Sequence, residues 1–337
     1  MANLMNKKNY IKFTIITALL IAMIFISFFL GHYEIEIKKL FDYIFFDIKN
    51  DEISNSLLIL SEIRLPRILA AILIGSALAI SGALFQGIFL NPLVSPSVLG
   101  VLSGASFGAS LAMVAKLSFI FVQISAFVFG FLAVFLALMI SKIYGKNSTV
   151  LMLILGGIIS SSLFGAGLSF LKYIADPENS LPSIVYWMMG SLALAKLDLV
   201  LKLLPFMILA IIGICVLARS VDLLSLGEDD AKTLGLSVAK IRFILIVLAT
   251  FLSASAVMLG GIIAWIGLVV PHICRFIVGV RHGVLLPFCA IFGALFLLVV
   301  DTFGRSVFSV ELPIGILVSV VGIPIFLIVL KNTRAIK

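Results

Sequence analysis

Residues Ser220–Arg242 read SVDLLSLGEDDAKTLGLSVAKIR and lie between two apolar runs, Leu199–Ala218 and Phe243–Gly261. The stretch holds three consecutive acids, Glu228, Asp229 and Asp230, and carboxylates are too costly to place in hydrocarbon without a role. A polar island between two membrane-length apolar runs decides the class of fold: helices that cross a bilayer, joined by short loops. Inside the island, Ser225 and Glu228 have the spacing of a capping box, in which each side chain satisfies an orphan amide at a helix start. The acidic trio fills the first turn and Lys232 the last, as the helix dipole prefers. Gly235 is placed to end the helix in a left-handed conformation. The spacing therefore predicts a short helix over Leu226–Leu234. Gly227, Ala231 and Leu234, at i, i+4 and i+7, give it one smooth face with a single apolar knob. Such a face suits a partner's groove; a plain solvated loop is the bland alternative.

Composition agrees. Of the 337 residues, 62% are hydrophobic and 12% charged, whereas soluble chains run at roughly a quarter charged. The mean hydropathy is +1.28. The first apolar run, Phe13–Leu30, lacks a small-residue cleavage site and is followed by further spans, so it is expected to be a retained helix and not a signal peptide. The net charge of +8 does not argue for nucleic acid, because basic residues in such a chain mostly set orientation. Cys215, Cys274 and Cys289 are isolated within apolar runs, and His32, His272 and His282 are equally scattered. No disulfide framework or metal site is expected from that spacing.

With a span needing about 20 apolar residues, ten segments are expected, at roughly 13–31, 64–88, 96–115, 118–140, 149–171, 199–218, 242–259, 261–271, 284–303 and 311–330. The eighth is short for a straight span. Pro182–Leu194 reads as an amphipathic piece whose Tyr186 and Trp187 suit a membrane interface. A cytoplasmic N-terminus puts Lys7, Lys8, Lys12, Lys142, Lys146, Arg219, Arg275, Arg281, Lys331, Arg334 and Lys337 inside and most acids outside, in line with the positive-inside rule, with Arg64, Arg67, Lys116, Lys172 and Arg305 as exceptions outside. The expectation is an all-α integral membrane protein, residues 1–337 as one transmembrane domain, both termini cytoplasmic, with 32–63 an external loop and 220–242 cytoplasmic.

Several motifs weigh on function. Gly104-Ala105-Ser106-Phe107-Gly108 fits the G-x-S-x-G pattern of serine hydrolases, but that pattern needs a strand–turn–helix setting; close helix packing through small residues is the better account. No G-x-x-x-x-G-K-[ST] occurs, so the chain has no phosphate-binding loop of its own. Helix centres are nearly free of ionisable residues, Asp301 lying near a helix end, which argues against a proton- or sodium-coupled relay. Arg64-Leu65-Pro66-Arg67 is expected to open the second helix, with Pro66 in its first turn. Arginines there oppose the dipole. They read either as interfacial anchors or as cationic posts for external carboxylates. Asn91-Pro92-Leu93-Val94-Ser95-Pro96 makes a rigid turn.

Taken in order, these stretches resemble the permease subunits of the iron–siderophore, haem and vitamin B12 class of ABC importers. The matching residues are Arg64–Arg67, Gly82–Gly87 leading to Asn91-Pro92-Leu93, Tyr186–Gly190, Leu226-Gly227-Glu228 with Ala231 and Leu234-Gly235, Gly267–His272, Asp301 with Arg305, and Glu311–Gly315. The resemblance covers essentially the whole chain. It implies about ten helices per protomer, a second permease copy or a sister permease, two cytoplasmic ABC ATPase subunits that hold the ATP, and an external substrate-binding protein. It implies no enzyme activity, no cofactor and no metal in this chain, and a place in a bacterial cytoplasmic membrane. It further implies ATPase docking at Leu226, Gly227, Glu228, Ala231, Leu234 and Gly235, and binding-protein docking at Arg64, Arg67 and Arg305. A cytoplasmic gate is implied at Asn91, Leu93, Ser148 and Thr149. The implied cargo is a ferric siderophore, with haem, a corrinoid or a molybdate-type oxyanion as alternatives; an ion-coupled secondary transporter is the rival of another class.

Overall fold

A computed structural model describes residues 6–31, 33, 51–144, 150–193, 195–307 and 310–334. Its regular elements are all helical. In chain order they are α1 (Lys7–Phe29), α2 (Asp51–Leu58), α3 (Leu65–Ile88), α4 (Val101–Val114), α5 (Phe119–Tyr144), α6 (Val150–Ile174) and α7 (Ser180–Met188). They continue as α8 (Leu197–Val216), α9 (Ala218–Leu224), α10 (Glu228–Thr233), α11 (Val238–Gly260), α12 (Ile266–Val278), α13 (His282–Val307) and α14 (Ile314–Arg334). Among the described residues seven helices are long and apolar enough to cross a membrane, and three shorter apolar helices, Val101–Val114, Ile266–Val278 and Ile314–Ile328, occupy other expected segments.

The bundle is built around α3. Twenty of its 24 residues are buried, because small residues let neighbours approach to backbone contact. A Cβ at Gly75 would collide with the carbonyl of Gly293 in α13, and one at Gly82 with the carbonyl of Gly267 in α12. Hydrocarbon supplies no hydrophobic drive between helices, so such packing and interhelical hydrogen bonds hold the bundle. Ser76 Oγ donates to the carbonyl of Ala290 at 2.8 Å, and Ser160 Oγ to that of Ala133 at 2.7 Å. Gly104 and Gly108 do the same on α4, where an added Cβ would meet the carbonyls of Phe129 and Ser125 in α5. Ser106 Oγ is bonded to Leu102 of its own helix at 2.7 Å, so the G-x-S-x-G match is a packing stripe.

Three boundaries differ from those expected, each for a local reason. Pro66 stands in the first turn of α3, as expected, but that turn does not start from a loop. The chain is helical from Asp51 onwards, passing through a π-helical turn, Ile59–Arg64, that bonds Leu65 N–H to the carbonyl of Leu60. The wide turn accommodates the amide that proline lacks. The expected external loop 32–63 is therefore helical over 51–63, while 34–50 lies outside the described residues. Before α4, Pro96–Leu99 forms a 3₁₀ turn ended by Gly100 at φ 87°, delaying the helix to Val101. The expected segment 261–271 is not helical at its start: Gly261 and Trp265 both stand at φ 69°, outside the helical region, and α12 begins at Ile266. Pro271 within α12 cannot donate to the carbonyl of Gly267; Gln86 Nε2 of α3 reaches that oxygen at 3.4 Å instead.

Gly82→Ala should drive α3 from α12 and destabilise by about 1–3 kcal/mol or more, as overpacking does. Gly165→Ala, where an added Cβ meets nothing within 4 Å, should be neutral or stabilising by up to about 1 kcal/mol. Thermal unfolding of both variants in detergent checks this; equal effects would remove α3 from the centre of the account.

Candidate functional site at the two polar ends of the bundle

α3 and α13 run antiparallel through the bundle, because Arg67 at the start of α3 pairs with Asp301 near the end of α13, while Gly87 at the other end of α3 meets the imidazole of His282. At about 1.5 Å per residue, each helix carries these polar ends roughly 30 Å apart.

At the first end, α8 stops at Val216, α9 and α10 follow, and α11 departs from Val238. Gly227 adopts φ 115°, ψ 160°, a region that favours glycine, and it starts α10 in place of the expected capping box. Ser225 Oγ bonds back to the carbonyl of Val221 at 2.8 Å, and Glu228 Oε1 lies 2.7 Å from Arg242 Nη2 of α11. The guanidinium of Arg242 is buried and demands a charged partner, which draws Glu228 away from the cap. The other terminus is as read: Gly235 is left-handed at φ 83°, and Leu236 N–H bonds the carbonyl of Ala231 at 3.0 Å, the long bond of a Schellman motif.

The single smooth face is not realised. Ala231 is fully buried against its own subunit, while Leu226 and Leu234 are each 59% exposed. The outward face is thus Leu226, Gly227, Leu234 and Gly235, with Glu228 and Ala231 turned to the bundle. Asp222 Oδ1 accepts from His282 N–H at 2.8 Å and lies 2.7 Å from His282 Nδ1, tying α9 to α13. Burial alone would raise the Asp222 carboxyl, but the hydrogen bonds from His282 and the charges of His282 and Arg281 hold it below the ordinary carboxylate value.

Beside this ledge the turn at Asn91 is locked by Leu93 N–H donating to Asn91 Oδ1 at 2.9 Å, with Leu93 exposed. A groove of ≈ 640 Å³ separates the two, bordered by Leu90, Asn91 and Pro92 on one side and Leu223 and Leu226 on the other. The structure thus brings Asn91 and Leu226 to one groove. Ser148 and Thr149 lie outside the described residues. Sequence reasoning missed Asp222, Arg242 and His282 as partners; nothing in their spacing pairs residues 60 positions apart.

At the opposite end the three arginines are not exposed posts. Arg64 is 4% exposed and donates to the carbonyls of Phe28 and Tyr33. Arg305 is 7% exposed and donates to Ser27 and to the carbonyl of Leu30. Carbonyls at the end of α1 have no intrahelical donors and carry the negative end of the dipole, so two guanidiniums cap them. Arg67 takes two carboxylates of its own chain, Asp301 Oδ1 at 2.9 Å and Glu311. Asp301 is fully buried, with Arg305 Nε 3.5 Å from its other oxygen. The arginines are thus placed by burial and internal charge, which corrects the expectation of free cations at this end.

A cavity of ≈ 390 Å³ lies among α4, α5, α7 and α11, lined by Met113, Phe119, Val122, Tyr186, Trp187 and Met258 with Ser180, Ser183 and Ser191, and among the described residues no cation lines it. Among the described residues no group of histidine, cysteine or acids could hold a metal ion.

The family model described as the FecCD transport family matches residues 19–332. The chain is 42% identical over 269 residues to the molybdate import system permease protein MolB of Haemophilus influenzae, a match covering 80% of this chain and 79% of that one. It is 37% identical over 283 residues to the hemin transport system permease protein HmuU of Yersinia pestis, covering 81% of each. Among solved structures, a metal-chelate type ABC transporter in an inward-facing conformation superposes with a TM-score of 0.85 at 38% identity, covering 94% of this chain and 97% of that one.

Asp301→Asn should destabilise by about 3–5 kcal/mol, since it leaves two buried guanidiniums short of a charge. Glu311→Gln, at a side chain 43% exposed, should cost about 0–1 kcal/mol. Thermal unfolding of the purified subunit reads both, and a reversed order would displace Asp301 from the centre of the cluster.

Proposed function

Because this chain belongs to the FecCD transport family, whose members here are multi-pass permeases of ABC importers, we propose that it forms the membrane pathway of an importer of chelated metal, a ferric siderophore in the first place, in a bacterial cytoplasmic membrane. Separate ATPase subunits power it, a second permease copy or a sister permease completes the pathway, and an external binding protein delivers the cargo at the arginine end. The observation that carries the ATP-driven reading is the short helix α10, held out between two membrane-length helices with Leu226 and Leu234 exposed beside the Asn91 groove. That ledge is a ready docking face for an ATPase, and the chain has no phosphate-binding loop of its own.

What supports a chelate as cargo is the cavity beside α7, aromatic and thioether-lined with hydroxyls and no cation. An organic chelate suits such a wall; a bare oxyanion needs charged or N–H donors. A molybdate-type oxyanion is the second reading, favoured by the 42% identity to MolB. Uptake of ferric siderophore, hemin, corrinoid and molybdate into proteoliposomes holding the assembled importer separates the two, and transport of molybdate alone would overturn the chelate. Transport that survives removal of ATP and collapses with an uncoupler would instead make the chain a secondary transporter.

Two further outcomes are expected. Leu226→Glu with Leu234→Glu should abolish ATPase stimulation and transport while leaving the subunit's melting temperature within a few degrees, because both side chains are exposed. Unchanged stimulation would remove the docking face. A cysteine at Asp229, whose side chain is 98% exposed, should be labelled only from the cytoplasmic side; labelling from outside would invert the orientation.

A further inference from the structure

Between α8 and α13, at the end that carries α10 and is the coupling end on the proposed function, a crevice of ≈ 680 Å³ opens on the surface of the bundle. Its wall is apolar, formed by Ile211, Ile212, Cys215 and Val216 of α8 and by Pro287 of α13. Pro287 stands inside the helix, where it removes a backbone hydrogen bond and spreads the turn. At the mouth stand Arg219 and Arg281, both exposed.

The geometry points to a seat for one anionic phospholipid, its phosphodiester held by Arg219 and Arg281 and an acyl chain lying along α8. Three observations meet there. Leu209, Ile212 and Val216 are 65%, 52% and 74% exposed and follow one another at helical spacings of three and four, so they form one stripe. Arg219 comes three residues further on. An extended apolar track on a membrane-length helix thus ends at a guanidinium, the order in which a lipid presents tail and phosphate. Second, neither guanidinium makes a hydrogen bond or a close ion pair among the described residues, whereas Arg64, Arg67, Arg242, Arg275 and Arg305 are each engaged. Third, the one acid at the crevice, Asp222, already accepts from His282. Two cations facing one engaged carboxylate leave a single positive charge, which one phosphodiester balances. Basic pockets between membrane helices bind anionic lipid headgroups on this principle. Arg219 and Arg281 also border the Asn91 groove, so a carboxylate of a docked protein is the rival occupant.

The full chain, stripped of lipid in detergent and offered equal phosphatidylglycerol and phosphatidylcholine, is read by native mass spectrometry. The wild type should retain phosphatidylglycerol in preference. Arg219→Ala with Arg281→Ala should lower that selectivity roughly 30-fold, about fivefold from each of the two surface cations. Arg219→Lys with Arg281→Lys should keep most of it. Val216→Trp, which fills the track and leaves both arginines, should reduce retention of either lipid. Equal retention of the two lipids by the wild type would overturn the proposal, as would unchanged selectivity in the alanine variant. Protection from thermal unfolding by inorganic phosphate equal to that by phosphatidylglycerol would make this a soluble-anion site. ATPase binding that falls in the alanine variant, with lipid retention intact, would assign the arginines to the docked protein.

Discussion

At Gly75 and Gly293, and again at Gly82 and Gly267, nothing but backbone separates α3 from its neighbours. The rest of the bundle depends on that approach. With the helices this close, Ser76 can reach the carbonyl of Ala290, Ser81 that of Ala249 and Gln86 that of Gly267. Such bonds are worth little where water competes, but in hydrocarbon they are part of what holds helices together. The same closeness explains why α12 can tolerate Pro271: the carbonyl that the proline leaves without a donor faces α3, whose Gln86 supplies one.

Charge is handled differently at the two ends, and in each case the chain's own polar groups decide it. At the arginine end the last carbonyls of α1 are orphaned, and Arg64 and Arg305 cap them. Asp301 then sits between Arg67 and Arg305, a buried carboxylate that is tolerable only because it has two partners. At the coupling end the ties run between elements: Glu228 to Arg242, Asp222 to His282, Arg275 to Gln86. The first fixes α10 on α11, the second fixes α9 on α13, and the third ties α12 to α3, with Leu226 and Leu234 left facing outward.

The apolar segments were legible in the sequence because run length and hydropathy are properties of contiguous residues. Gly235 was legible too, since a left-handed stop is a local event. The capping box failed because Arg242, fourteen residues on, outbids a backbone amide for Glu228. The helical chain ahead of Pro66 was missed because a π turn leads into it, and no residue-level signal marks one. The exposure of Arg64 and Arg305 failed for a related reason: their acceptors include carbonyls of Ser27, Phe28 and Leu30, and backbone oxygens carry no letter in a sequence. The face of α10 was misjudged at Ala231 because helical spacing says which residues share a side but not which side meets the bundle.

The arrangement also constrains how work can enter. Asp301 is held in the cluster at one end, His282 in the groove at the other, and His272 lies with Nδ1 3.0 Å from the carbonyl of Leu268 in its own helix. The buried polar groups along the middle of α3, α5 and α11, including Ser81, Gln123 and Ser253, are hydroxyls and amides. These cannot take up and release protons near neutral pH, so they offer no titratable chain for a gradient to drive. Close-packed interiors are stiff, and α3 and α13, joined backbone to backbone, run from the Asn91 groove to the Asp301 cluster. On the reading proposed above, an ATPase that grips the ledge of Leu226 and Leu234 would therefore act on α3 and α13 as one stiff unit.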